Sequence, residues 1–151
     1  MVLSARTAAE LQAIAERLGR GLQAGDVIAL VGPLGAGKTT FVQGLARGAG
    51  VPAGRHVASP TFALVNEHPG RVPLVHADLY RVADARELEE LGLTDAFDRA
   101  AVAIEWLDRF PAAAPAERLE IEIAIEPDDT RTLTFRPKGL RPAALMASAA
   151  P

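Results

Sequence analysis

Gly32-Pro33-Leu34-Gly35-Ala36-Gly37-Lys38-Thr39-Thr40 carries the strongest fold signal in the chain. It fits G-x-x-x-x-G-K-S/T, a glycine-rich loop whose backbone N–H groups cradle phosphate. The pattern is short, so its flanks must supply the context. Upstream, Val27-Ile28-Ala29-Leu30-Val31 is an apolar, β-branched run that predicts a buried strand. Downstream, the segment from Thr39 to Arg47 carries Phe41, Val42 and Leu45, which predicts the core face of a helix. Strand, loop and helix start follow in the order that phosphate binding requires.

A helix N-terminus leaves unpaired N–H groups and the positive end of a macrodipole, and both attract phosphate. Gly35 and Gly37 allow backbone conformations that a Cβ would forbid. Lys38 is placed to bridge β- and γ-phosphates, and the Thr39 hydroxyl to ligate Mg²⁺. Lys38 and Lys138 are the only lysines, against 14 arginines. A lysine persists at this loop where the chain otherwise uses arginine.

Working outward, Thr7-Ala8-Ala9-Glu10 reads as a capping box. It opens a helix with Leu11, Ile14, Ala15, Leu18 and Leu22 on one face, ending between Gly19 and Gly25. Past the loop helix, Gly48 to Gly54 is a glycine- and proline-punctuated connection. In Val57-Ala58-Ser59-Pro60-Thr61-Phe62, Pro60 stiffens the backbone and can present Thr61 at a defined place. An edge-strand start is the competing reading of that segment. Two strand-like runs, 62–67 and 72–78, flank His68-Pro69-Gly70-Arg71 and predict a hairpin. Pro73 puts one of its strands at an edge or at its own beginning.

Asp84-Ala85-Arg86-Glu87 is a second capping box, opening a short helix through Leu88 and Leu91 to Gly92, with a further helical turn from Thr94 to Asp98. Ala101-Val102-Ala103-Ile104 is a fully apolar run that delivers Glu105 at its end, followed by Trp106. Ligands sit at the C-terminal tips of strands in open α/β sheets. Leu119, Ile121, Ile123 and Ile125 alternate with Glu120, Glu122, Ala124 and Glu126, which predicts a half-exposed strand. It turns at residues 127–130 into Arg131-Thr132-Leu133-Thr134-Phe135 as a C-terminal antiparallel hairpin. Residues 1–136 are thus expected as one α/β P-loop domain. Residues 137–151 are expected as a flexible Ala/Pro-rich tail with a helical turn near Leu145-Met146.

Composition bounds the rest. The chain has 151 residues, a net charge of −3, 49% hydrophobic and 23% charged residues, and no cysteine. Disulfides, thiolate catalysis and cysteine-ligated metals are excluded. The acidic balance gives no footprint for stand-alone nucleic-acid binding. No signal-peptide profile and no apolar run of membrane-spanning length occurs, so a cytoplasmic protein is expected. His56, His68 and His76 lack metal-ligand spacing and read as structural.

A nucleotide hydrolase needs a strand-end acid on the metal side, and two candidates exist. Glu105 follows the cleaner apolar run and is favoured for the metal; Asp78 fits water positioning or a supporting acid. Trp106, the sole tryptophan, stands beside the site. The guanine-reading N-K-x-D motif cannot occur, because Asn66 is the only asparagine and Glu67 follows it. ATP is therefore the expected nucleotide. A small-molecule kinase is the rival class, although no arginine-bearing lid is evident. A non-catalytic nucleotide-sensing adaptor is the third reading.

The series Gly32 to Thr40 with Phe41 and Gly44, Ser59-Pro60-Thr61-Phe62, Leu64-Val65-Asn66-Glu67, His76-Ala77-Asp78-Leu79-Tyr80-Arg81, Glu87 to Gly92, and Ile104-Glu105-Trp106 resembles the bacterial TsaE (YjeE) family. The resemblance runs from about Thr7 to the terminal hairpin. It implies a P-loop domain with a mixed central sheet flanked by helices. The implied activity is a Mg²⁺-dependent ATPase, weak alone and stimulated by partners, that serves threonylcarbamoyladenosine formation in tRNA. The partners it implies are TsaB and TsaD, with tRNA reached only through them and no small-molecule acceptor. Carried over by motif, Lys38, Thr61, Asp78 and Glu105 would perform the chemistry. Gly35, Ala36, Gly37, Lys38, Thr39, Thr40 and Trp106 would hold the nucleotide, and Thr39 and Glu105 the metal. The one departure is Pro33, where the family usually carries Asp. Proline has no N–H, and the loop is expected to tolerate it because later residues supply the phosphate-facing amides.

Overall fold

The computed structural model describes residues 1–58 and 64–151, so the expected Thr61 position lies outside the described residues. The strands are β1 (Val2–Ala5), β2 (Val27–Val31), β3 (Val65–His68), β4 (Leu74–Asp78), β5 (Ala101–Glu105), β6 (Arg118–Ile125) and β7 (Arg131–Lys138). The helices are α1 (Ala8–Arg20), α2 (Lys38–Gly48), α3 (Ala85–Glu90), α4 (Leu93–Arg99) and α5 (Leu140–Ala147). The described strands form one mixed sheet in the order β1-β7-β6-β2-β5-β4-β3. Its middle, β6-β2-β5-β4, is parallel, and antiparallel strands close both sides. This is the expected P-loop architecture, with the expected hairpins at β3–β4 and β6–β7.

Strand periodicity divides the core. In β2, Ile28 and Leu30 face α1 and α2, whereas Val27 and Ala29 face α3 and α4. In β5, Ala101 and Ala103 belong to the first layer, Val102 and Ile104 to the second. Every residue of β5 is buried, as expected of a strand covered on both faces. β6 alternates as its sequence predicts, with Leu119, Ile121 and Ile123 fully buried.

Helix α1 begins where its capping box predicts: the Thr7 hydroxyl accepts from Glu10 N–H at 3.1 Å. The Glu10 carboxylate reaches one residue further back than a standard box, to Arg6 N–H. Asp84 caps α3 in the same way, accepting from Glu87 N–H at 2.9 Å. Leu11, Ile14, Ala15 and Leu18 are buried against α2. The two helices approach so closely at Gly48 that a Cβ there would strike the α1 backbone at Glu16, Gly19 and Arg20. This packing fixes the axis of α2, and with it the direction in which the loop before α2 points.

Two parts of the chain differ from expectation. Val2–Ala5 has no strong strand signal, yet pairs antiparallel with β7 as an edge strand. Four residues are too few for periodicity to be read. The expected mobile tail is instead the last residues of β7 followed by α5, which buries Pro142 and Leu145, and Ala149 just beyond the helix is buried too. Arg141 binds both oxygens of buried Asp26, at 2.8 and 2.6 Å, and the Gly21 carbonyl at 2.7 Å. A bidentate charge-assisted pair of this kind is strong and directional, and an Ala/Pro-rich composition gives no warning of it.

Gly48→Val is expected to lower the unfolding free energy by ~3 kcal/mol, because neighbouring backbone cannot yield as a flexible side chain can. Urea denaturation measures this, and an unchanged midpoint would contradict the close-approach argument.

Candidate functional site

The loop 32–37 leaves the C-terminal end of β2 and enters α2 at Lys38. Gly37 is the N-cap, with φ 107°, and supplies no side-chain cap, so the first amides of α2 stay open toward the loop's concave side. That left-handed conformation is strained for any residue with a Cβ. Ala36 is turned inward: its methyl is buried, its N–H donates to the Pro33 carbonyl at 3.1 Å, and its carbonyl accepts from Arg131. Pro33 thus serves through its carbonyl, which needs no N–H.

Lys38 is 5% exposed. Its Nζ donates to the carbonyls of Gly32 at 2.6 Å and Pro33 at 2.9 Å, and stands 4.6 Å from the centre of the Trp106 ring. Burial lowers its pKa below the ordinary lysine value, against the opposing pull of Glu105, Asp78 and Asp108.

Strand register builds the acidic side. In the parallel β4–β5 pair, Asp78 stands opposite Glu105, and His76 opposite Ala103. Residues two apart share a face, so His76, Asp78, Ala103 and Glu105 all point to the α2 side of the sheet. The Asp78 carboxylate accepts from Tyr80 N–H at 3.0 Å, shaping the turn that follows β4. Arg109 donates to the Leu79 carbonyl at 2.9 Å and to that of Tyr80, holding the same turn. Trp106 adopts φ 64°, and its ring lies 4.9 Å from that of Tyr80. A non-glycine residue at positive φ is uncommon. Here it turns the chain sharply after Glu105 and presents the indole to the cleft.

The result is a cleft of about 450 Å³. Of the sequence-expected residues, Gly35, Gly37, Lys38, Thr39, Thr40, Asp78, Glu105 and Trp106 line it. Ala36 does not, and Thr61 is outside the described residues. Among the described residues, no three His, Cys, Asp or Glu side chains group into a metal site, and no helix is long and apolar enough to cross a membrane.

Leu34, Tyr80 and Arg81 also line the cleft without having been expected there, and two supporting residues behind it were missed as well. His76, read as structural, is fully buried with Nε2 only 2.6 Å from Glu105 Oε2. Its spacing two residues before Asp78, on the same strand face, was the available signal. Arg131 donates from Nε to the Ala36 carbonyl at 3.0 Å and from the guanidinium to the Gly35 carbonyl at 3.3 Å, bracing the loop from behind. No local pattern announces a contact across 95 residues.

Burial of Lys38 has a pH consequence. The folded protein releases this proton at lower pH than the unfolded chain. Between the lowered value and 10.5 the unfolded chain binds more protons, so unfolding free energy rises with pH there. Wild-type protein is expected to gain stability relative to Lys38→Met as pH is raised toward 10.5. Urea denaturation of both proteins reads this, and a constant difference across the window refutes it.

Comparison with known proteins matches residues 5–133 to the family described as "Threonylcarbamoyl adenosine biosynthesis protein TsaE". The "tRNA threonylcarbamoyladenosine biosynthesis protein TsaE" of Bacillus subtilis is 43% identical over 134 residues, covering 87% of this chain and 82% of that protein. The protein of the same name from Treponema pallidum is 36% identical over 118 residues, covering 78% of this chain and 86% of its own. The crystal structure of Bacillus subtilis YdiB superposes with a TM-score of 0.85 at 34% identity, covering 99% of this chain and 93% of that one.

Proposed function

The chain belongs to the TsaE family, and we propose that it is the ATP-hydrolysing component of tRNA threonylcarbamoyladenosine biosynthesis. Its hydrolysis would be coupled to the cycling of a TsaB–TsaD complex in the cytoplasm. The observation that carries this reading is convergence: Lys38 from α2, Asp78 from β4 and Glu105 from β5 line one cleft at the C-terminal edge of the parallel strands.

The residues present fit a nucleoside triphosphate with Mg²⁺. The amides at the start of α2 are open, and Lys38 offers the one lysine ammonium beside the loop. On this reading, Lys38 exchanges its bonds to the Gly32 and Pro33 carbonyls for phosphate oxygens. Thr39 and Glu105 would hold the metal, with Asp78 alongside. Magnesium binds through one or two carboxylates plus phosphates rather than a protein-only cage, which suits a site with two neighbouring acids and a hydroxyl. When bound, it would neutralise phosphate charge and order the oxygens. Gly35, Gly37 and Thr40 would add loop contacts, Ala36 would act through its place in the loop, and Trp106 would flank the nucleotide. Thr61 keeps its proposed role from the family resemblance.

ATP is preferred over GTP because the chain has no N-K-x-D sequence. A net charge of −3 suits a subunit that leaves tRNA to its partners. Glu105 sits in a buried, preorganised setting at a strand end, which suits a carboxylate that holds the metal, and Asp78 beside it keeps the water-positioning or supporting role.

Lys38→Ala is expected to weaken ATP binding about 10- to 150-fold, the loss of one charge-assisted hydrogen bond worth about 1.5–3 kcal/mol. Titration followed by Trp106 fluorescence measures it, and unchanged affinity would remove the phosphate role. For the full reading, purified protein is expected to hydrolyse ATP slowly alone and faster with TsaB and TsaD. Repeated rounds of tRNA modification that proceed equally well without ATP hydrolysis would sink it.

A further inference from the structure

We propose that His76 is the positioning residue of Glu105, donating a hydrogen bond from Nε2–H that fixes one carboxylate oxygen and frees the other to act in the cleft. The inference rests on the hydrolase reading for what Glu105 does, and on the geometry alone for what His76 does to it.

The geometry is specific. His76 is fully buried, Glu105 is 4% exposed, and Nε2 stands 2.6 Å from Oε2. Nδ1 is buried without a hydrogen-bond partner among the described residues. An ionised carboxylate only accepts, so the shared hydrogen belongs to the imidazole. The Nε2–H tautomer makes the bond and leaves Nδ1 as a bare acceptor. Its alternative would bury an orphan N–H and set a nitrogen lone pair against the carboxylate. Leaving a buried donor unpaired is the costlier arrangement, so the ring is held as the Nε2–H tautomer.

The bond has a mechanical meaning because of where the ring is mounted. His76 lies in β4, which is paired on both sides, by β3 and β5. Its partner in register is Ala103, whose methyl leaves room for the ring to reach diagonally to Glu105. A glutamate alone has three side-chain torsions to lose, whereas an imidazole on a strand paired on both sides has two and is packed. Oε2 is thereby anchored, and Oε1 is the oxygen left for the cleft that Glu105 lines. Supporting hydrogen bonds of this kind orient a working carboxylate without touching substrate.

The test begins on wild-type protein with nitrogen-labelled histidine. Long-range proton–nitrogen NMR, with His76→Gln used to assign the signal, reads the tautomer directly. The Nε2–H form is expected, and the Nδ1–H form overturns the proposal. Activity then separates positioning from packing. His76→Leu removes the donor, whereas His76→Gln returns an N–H near the same place. Partner-stimulated kcat is expected to fall about 10- to 100-fold in the leucine variant, to recover to within about 5-fold of wild type in the glutamine variant, and to leave KM for ATP within about 2-fold in both. Equal loss in both variants, or none in His76→Leu, overturns the proposal. Wild-type protein that turns over no ATP with its partners would sink the hydrolase reading, and the tautomer would still decide this one.

Discussion

Parallel pairing of β4 with β5, both locked to the loop strand β2 through β5, is the constraint on which the site depends. Side chains alternate along a strand, so one register decides every neighbour at once. The observed register sets Asp78 beside Glu105 and leaves His76 one pleat behind them. A one-residue slip would send His76 and Asp78 into the α3–α4 layer, among Val102 and Ile104. The apolar residues of both strands fix the register, since Val75 and Ala77 must face one core and Leu74 the other. Packing of ordinary hydrophobes thus places the polar groups.

The site concentrates polar groups that are expensive to bury. Lys38, His76 and Glu105 are each no more than 5% exposed. Unpaired, each would cost several kcal/mol or change its protonation. Each is held by a partner: two carbonyls for Lys38, and one another for His76 and Glu105. The strained backbone at Trp106 stands at the same spot. Strain and desolvation collected in one cleft, over a well-packed two-layer core, are what a functional site looks like energetically. Stability is supplied elsewhere, notably by the close contact of α1 with α2 and by the Arg141–Asp26 pair.

The phosphate loop also depends on parts remote in sequence. Arg131, on the outer hairpin, grips the carbonyls of Gly35 and Ala36. It is itself fixed by Asp129, which takes φ 67° in the turn between β6 and β7. A terminal hairpin that reads as mere sheet extension therefore stiffens the opposite side of the loop from the acids. With α2 fixed by α1 and the loop braced by Arg131, little freedom is left for the backbone between β2 and α2.

Features encoded within a few neighbouring residues could be read directly from the chain. The glycine loop between strand and helix, the capping boxes at Thr7 and Asp84, the alternation of β6, and Glu105 at the tip of an apolar run were all legible, because capping and periodicity act over one or two turns or pleats. Strand order, the edge role of Val2–Ala5 and the docking of α5 were decided by tertiary structure alone. So were the His76–Glu105 bond across 29 residues and the Arg131 brace across 95. These depend on which strands become neighbours and in what register. That choice is made by burying two hydrophobic layers at once, so no short stretch of sequence contains it.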